Sequence, residues 1–269
     1  YGALLFNTTG IRNTATGNYA LRSNTTANDN TATGNFALYT NTTGTTNTAT
    51  GAYALRFNTT GNSGTAVGYR ALTANTTAIG NTGVGHEALK SATTGSGGNT
   101  GIGDRALSLT TTSYGNTAVG QSTMGMANSG SENTAVGANA LRFSTGGGNT
   151  SVGYMSSPAV TTASDTTALG KSSLYRLTTG AGNTAIGKEA LNYLTTGAGN
   201  IGIGLEAGRS IVTGSNNTVI GYLAGTASLS STVLIGAGST ERLKITSTGL
   251  YVNGSSTALV GGALSIDGL

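Results

Sequence analysis

The chain has 269 residues, a net charge of +4, only 8% charged residues, 45 glycines, one proline and no cysteine. This excludes a collagen helix, which needs glycine at every third position together with proline, and it excludes a disulfide framework or thiolate metal site. With no run of Lys or Arg and no stretch of 18 apolar residues, neither nucleic-acid binding nor membrane insertion is expected of this segment.

A short motif recurs along the chain. Its anchor glycine stands at Gly17, Gly34, Gly51, Gly68, Gly85, Gly103, Gly120, Gly137, Gly153, Gly170, Gly187, Gly204, Gly221 and Gly236, with steps of 15 to 18 residues and mostly 17. A fixed short period decides the fold before local propensity does. Gly/Ser/Thr/Asn content would also suit a disordered segment, but the tight period and the aliphatic ladders favour a stack of about fourteen rungs.

Each unit reads as a strand, a tight turn, a second short strand and a wider loop. The residue before the anchor glycine is aliphatic in eleven of fourteen units, from Val67 to Ile235, and threonine in the first three. Two positions earlier runs a threonine ladder from Thr14 to Thr184. Residues i and i+2 share a strand face, so the two ladders are expected to point the same way, inward. Between them sits a small residue such as Ala15, Gly83, Ala118 or Ser151, which suggests close approach of another backbone.

After the turn comes a second apolar ladder, Leu21, Leu38, Leu55, Leu72, Leu89, Leu107, Leu141, Leu174 and Leu191. Asparagine precedes the first strand in eleven of fourteen units, from Asn13 to Asn217. Stacked amides of this kind can bond rung to rung. A helix is excluded, because every unit is broken by glycines and lacks a 3.6-residue apolar stripe. The fold class is therefore all-β: a parallel β-roll or β-solenoid over 1–236, which no single unit could stabilise alone. At about 4.8 Å per rung the coil would be roughly 65 Å long.

The period stops after Gly236. Glu241 to Thr246, a turn at Ser247-Thr248-Gly249, and Leu250 to Gly254 read as a hairpin, with further strands at Leu259-Val260 and Leu264 to Ile266. Residues 237–269 are expected to be a C-terminal β cap or connector that covers the open last rung. The chain begins at Tyr1 in mid-repeat, so a fragment is expected, with any signal or anchor outside it.

Units such as Asn116-Thr117-Ala118-Val119-Gly120 and Asn183 to Leu191, linked by Thr-Thr-Gly, resemble repeats of phage tail-fibre-like proteins. They are also similar to the head repeats of trimeric autotransporter adhesins. Glu241 to Ile245 is similar to segments that precede an intramolecular chaperone in such fibres, although no chaperone domain with a self-cleaving serine is present. The 17-residue period is longer than the usual adhesin-head unit. The resemblance implies a homotrimer, an extracellular place on a virion tail fibre or bacterial cell surface, and host attachment through a surface glycan or receptor.

Catalysis has little support in the residues, and neither an enzyme nor a cofactor is expected. His86 beside Glu87 is a lone histidine on a turn. Glu189 and Glu206 share a repeat position on adjacent rungs, and a glycosidase needs two carboxylates about 5–10 Å apart. Asn28-Asp29-Asn30 offers a single carboxylate to calcium, which reads better as a turn. Glycine runs such as Gly146-Gly147-Gly148 lack the strand-to-helix context of a phosphate loop. Asn-Thr-Thr triplets at Asn7, Asn24, Asn41, Asn58 and Asn75 fit the N-glycosylation pattern, but turn chemistry explains them.

Two surfaces stand out. Tyr19, Phe36 and Tyr53 occupy one repeat position in three successive rungs, with Tyr39 and Phe57 nearby, and then give way to Arg70, Glu87 and Arg105. These positions are expected to face solvent, and such an aromatic strip could bind sugar rings, or could instead pack within a trimer. The alternative function is an ice-binding solenoid: Thr14-Ala15-Thr16, Thr31-Ala32-Thr33 and Thr48-Ala49-Thr50 set paired threonines in a grid. The replacement of the second threonine by Val or Ile from the fourth unit onward argues for an interior position and against ice.

Overall fold

The structure is a computed structural model that describes residues 1–126 and 129–252. Its short strands are β1 (Thr14–Thr16), β2 (Thr31–Thr33), β3 (Thr48–Thr50), β4 (Thr65–Val67), β5 (Thr82–Val84), β6 (Thr100–Ile102) and β7 (Thr117–Val119). They continue with β8 (Thr134–Val136), β9 (Thr150–Val152), β10 (Thr167–Leu169), β11 (Thr184–Ile186), β12 (Ile201–Ile203) and β13 (Thr218–Ile220). The last three are β14 (Val233–Ala237), β15 (Thr240–Thr246) and β16 (Gly249–Val252). All lie side by side in chain order in one 16-stranded sheet. From β1 to β14 each strand pairs in parallel with the next, and like stands on like: Thr14 on Thr31, Ala15 on Ala32, Thr16 on Thr33. The chain is thus a β-solenoid of about thirteen turns with no helix among the described residues.

Hydrogen bonds run along the coil axis in both directions. In the coil that carries β3, the Gly51 and Tyr53 amides donate back to Thr33 and Asn35 at 2.8 and 2.9 Å. The Thr48, Leu55 and Thr59 amides donate forward to Gly64, Ala71 and Thr76 at 2.8 to 3.0 Å. Corners come from positive φ. Thr46, Tyr53 and Leu55 hold φ of 57°, 62° and 48°, and Gly51 holds 133°. The anchor glycine is required for contact as well as conformation: a Cβ on Gly51 would stand 2.5 Å from the Gly68 carbonyl oxygen.

The coil corrects two expectations. The second short strand expected at Ala-Leu is a turn, because Leu21, Leu38 and Leu55 hold left-handed φ, and the first strand faces the other way. The ladder before the glycine and the threonine ladder point outward, and the small residue between them points inward. Ala32, Ala49, Ala66, Ala118, Ala135, Ala168 and Ala185 are fully buried, whereas Val136 and Ile203 are 37% and 38% exposed and Val119 and Ile186 are half-buried. The physical reason is the narrow coil. The leucine ladder already fills it from the opposite wall, so the inward strand position has room for little more than a methyl group. A Cβ on Gly83 would lie 3.2 Å from the Ala88 carbonyl and 3.3 Å from Leu72. The backbone that approaches this position belongs to the same coil, so its small size is no argument for a second chain.

The stacked asparagines do bond rung to rung. The Asn30 amide N–H donates to Asn13 Oδ1 at 3.0 Å, Asn47 N–H to Asn30 Oδ1 at 2.9 Å, and Gly64 N–H to Asn47 Oδ1 at 2.8 Å. The series resumes and ends with Thr232 N–H on Asn217 Oδ1 at 3.1 Å. A second series lies under the wide loop, where Asn24, Asn41, Asn58 and Asn75 each donate Nδ2–H to the Oδ1 of the preceding one at 2.7 to 3.1 Å. Those four side chains are buried, so their fit to the glycosylation pattern reflects interior packing.

At the far end the sheet turns. β14 pairs antiparallel with β15, and β15 with β16, around the Ser247-Thr248-Gly249 turn. The hairpin thus lies over the edge that β14 would otherwise present. The strands expected at Leu259-Val260 and Leu264 to Ile266 lie outside the described residues.

Candidate functional site

Three surfaces of the coil carry distinctive chemistry: the aromatic and charged column after the anchor glycine, the outer wall of the strands, and a notch at the rung anchored by Gly153.

Tyr19, Phe36 and Tyr53 do come together. The Tyr19 and Phe36 rings are 5.3 Å apart, and Phe36 and Tyr53 are 5.7 Å apart and nearly coplanar in orientation, at 5°. Tyr39 meets Phe36 edge-on at 5.1 Å. Phe57 joins through Arg56, whose guanidinium lies 4.8 Å from the Phe57 ring, 5.3 Å from Phe36 and 5.2 Å from Tyr53. Arg22 plays the same part among Phe6, Tyr19 and Tyr39, and donates to the Tyr39 hydroxyl at 3.1 Å. The three rings of the column are half-buried rather than open to solvent. Stacking along the coil axis turns their faces toward one another and toward guanidinium groups, and leaves mainly edges outward. The column also extends further than expected, to Tyr1 at one end and to Tyr69 and His86 at the other. Tyr69 and His86 stand one position earlier in the repeat. Arg22 and Arg56 were visible as basic residues five after the anchor glycine in alternate rungs.

Where the aromatics stop, charges stack in the same column. Glu87 accepts from Lys90 at 2.9 Å and lies 3.6 Å from both Arg70 and Arg105. The Lys90 hydrogen bond, with the surrounding cations, holds the Glu87 carboxyl below the usual carboxylate range. His86 pairs with Asp104 at 2.9 Å, and this bond likewise lowers the Asp104 pKa. Since a depressed carboxylate stabilises the fold only while ionised, these contributions are present at neutral pH and fade as pH falls through the folded-state pKa. Glu189 and Glu206 both face Arg209, at 3.5 and 2.8 Å. Their carboxylates share one guanidinium, an arrangement that explains their alignment without hydrolytic chemistry. Asp29 pairs with Arg12, Asn28 Oδ1 accepts from the Ile11 amide at 2.8 Å, and Asn30 is interior. No group of three or more potential metal ligands occurs among the described residues.

The outer strand wall is the face expected to point inward, and the structure exposes it. Thr14, Thr16, Thr31, Thr33 and Thr50 are exposed on the first three strands. Later strands present Val67, Ile102, Val136, Leu169, Ile201, Ile203 and Ile220, each 37–46% exposed. No strand from β1 to β13 contains a charged residue. The wall is therefore an uncharged, mostly β-branched surface with the coil's own repeat. Compared with known proteins, the chain matches no family model and no curated protein.

Proposed function

We propose that this chain is a non-enzymatic structural rod, a fibre or adhesin segment on a virion or bacterial surface, which self-associates as a homotrimer and holds a binding surface away from its anchor. The observation that carries the reading is the outer strand wall. A strip about 65 Å long and about 10 Å wide follows from strand spacing, or roughly 650 Å² per copy, close to the ~800 Å² that one partner contributes to a stable interface. The strip is uncharged and mixed: from β1 to β13 threonine holds the first outward position of every strand but β12, and Val, Ile or Leu holds the third from β4 to β13. A continuous row of outward aliphatic side chains of this length marks an interaction site. A second and third copy supply the same repeat and so match the wall rung for rung. The resemblance to fibre and adhesin repeats supports the threefold arrangement and the surface location. Sedimentation equilibrium of the purified chain tests it: a species of three times the 26.4 kDa chain mass is expected, and a stable monomer would reject the assembly.

A second reading is favoured by the outward threonines of β1 to β3. Thr-x-Thr pairs spaced about 6.6 Å along each strand and about 4.8 Å between strands form a regular hydroxyl grid of the kind an ice surface could match. The two readings need the same wall in opposite states. Ice binding requires it free, so a monomer that shows thermal hysteresis would support ice binding and displace the rod.

A further inference from the structure

One rung departs from its neighbours in a way that opens the surface. Five and six residues after the anchor glycine stand Arg142-Phe143 in one coil and Tyr175-Arg176 two coils on; between them stand Pro158-Ala159. Two short side chains between two pairs of long ones leave a notch. Its volume is about 330 Å³, and Arg142, Phe143, Pro158, Ala159, Tyr175 and Arg176 line it. That is the lower end of small-ligand sites, the size of a single ring.

The other cations at the repeat position of Arg142 have more partners than it does. Lys90 and Arg209 are paired with Glu87 and Glu206, Arg22 bonds the Tyr39 hydroxyl, and Arg56 is held among three rings. Arg142 has only the Phe143 ring, 5.3 Å from its guanidinium; its buried Nε lacks a hydrogen-bond partner among the described residues, as do those of Arg22, Arg56 and Arg209. Arg176 lies over Tyr193 at 4.8 Å and is exposed. No carboxylate among the described residues forms an ion pair with either. Two guanidinium groups outside any ion pair therefore flank an apolar floor, with Glu87 and Glu189 in the adjoining hollows on their far sides.

We propose that this notch binds an acidic sugar residue, a six-membered ring that carries a carboxylate, within a surface polysaccharide. A guanidinium takes a carboxylate through two parallel N–H···O bonds. Tyr175, Phe143 and Pro158 offer apolar contact to the C–H face of a sugar ring, and Asn139, also at the wall, offers an amide to its hydroxyls. A simple anion would leave the apolar floor unused. The notch is open to solvent, so a polymer can enter and leave on either side. The proposal deepens the surface-contact part of the preceding reading and does not depend on association through the strand wall.

The test is calorimetric titration of the full chain with a tetrasaccharide of alternating glucuronate and N-acetylglucosamine, beside its carboxyl-reduced counterpart and benzoate. Binding of the acidic tetrasaccharide is expected, with a loss of about tenfold or more on carboxyl reduction, which is about 1.4 kcal/mol. Arg142→Lys and Arg176→Gln should each weaken it to a similar degree. Ala159→Phe, which fills the notch and leaves both arginines in place, should abolish it while the circular-dichroism melt stays unchanged. The proposal is overturned by no binding of the acidic tetrasaccharide, by equal binding of the reduced sugar or of benzoate, or by binding that survives Ala159→Phe. Sedimentation of the same sample reports the trimer separately, so either idea can fail without the other.

Discussion

Leu55 holds φ at 48° and is fully buried. A left-handed backbone costs an L-residue about 1–2 kcal/mol, and burying a leucine side chain returns about 1.5–3 kcal/mol. The same trade is made at Leu21, Leu38, Leu72 and Leu89, so the corner exists because the side chain it turns inward outweighs its strain. Periodicity revealed that these leucines form a ladder. It carried no signal of their φ, since leucine is not a residue that sequence reading places at a left-handed corner. The anchor glycines were legible because only glycine fits there. A Cβ on Gly85 (φ 131°) would stand 2.5 Å from the Gly103 carbonyl oxygen, whereas one on Gly182 (φ 67°) would meet nothing within 4 Å. Gly85→Ala is therefore expected to cost about 3 kcal/mol and Gly182→Ala about 1 kcal/mol. Urea midpoints measure both, and equal losses would show that the stacked glycines tolerate a methyl group.

At the scale of one rung, the first strand and its register followed from the period. The second short strand read at the Ala-Leu segment did not form, because its leucine turns a left-handed corner, and the facing did not follow from the period either. Thr-Ala-Val offers two consistent readings, since shifting the inward set by one residue exchanges its faces. β-branched outer residues suit a pleated surface whether or not it is covered, so composition alone did not choose. What decides is the volume left after the leucines are placed. The asparagine ladder was legible for the same reason as the glycines: a polar side chain repeated at one interior position needs a partner, and its own copy in the next rung supplies one. Asn47 shows what is at stake. It donates to the Gly61 carbonyl at 2.8 Å and accepts from the Gly64 amide at 2.8 Å. Asn47→Ala leaves the Gly64 amide buried and unpaired, whereas the Gly61 carbonyl keeps its bond from Asn58 Nδ2 at 2.9 Å, so the expected loss is about 1–3 kcal/mol. Asn62→Ala removes a bond to the Thr45 amide at a half-buried site that water can reach, and should cost less than half as much. Comparable losses at the two positions would mean that burial does not govern the ladder's contribution. Of the surface features, the aromatic column was visible as a repeat position, but its arginine spacers and closed ring faces depend on rotamers that spacing does not specify. The notch was invisible because it arises from what Pro158 and Ala159 lack.

Over the whole molecule, stability in such a stack is close to a sum of rung and neighbour terms, so a change confined to the outer wall should leave the coil standing. This separates folding from assembly. Val136, Leu169 and Ile203 lie on the wall in three alternate rungs, 37%, 46% and 38% exposed. The triple variant Val136→Lys, Leu169→Lys, Ile203→Lys places three like charges where the proposed copies meet, at positions where a lone coil keeps them in water. Strand propensity disfavours lysine by a few tenths of a kcal/mol at each site, so the thermal melt of a monomeric coil should shift by only a few degrees. In a trimer three charges per chain converge on a common axis without counter-ions, and burying unpaired ammonium groups costs several kcal/mol apiece. The variant is therefore expected to sediment as a folded monomer with an unchanged circular-dichroism spectrum. A trimer that persists would show that the wall is not the interface. An unfolded variant would show that these side chains belong to the core, and that the facing inferred from burial of the alanines is wrong.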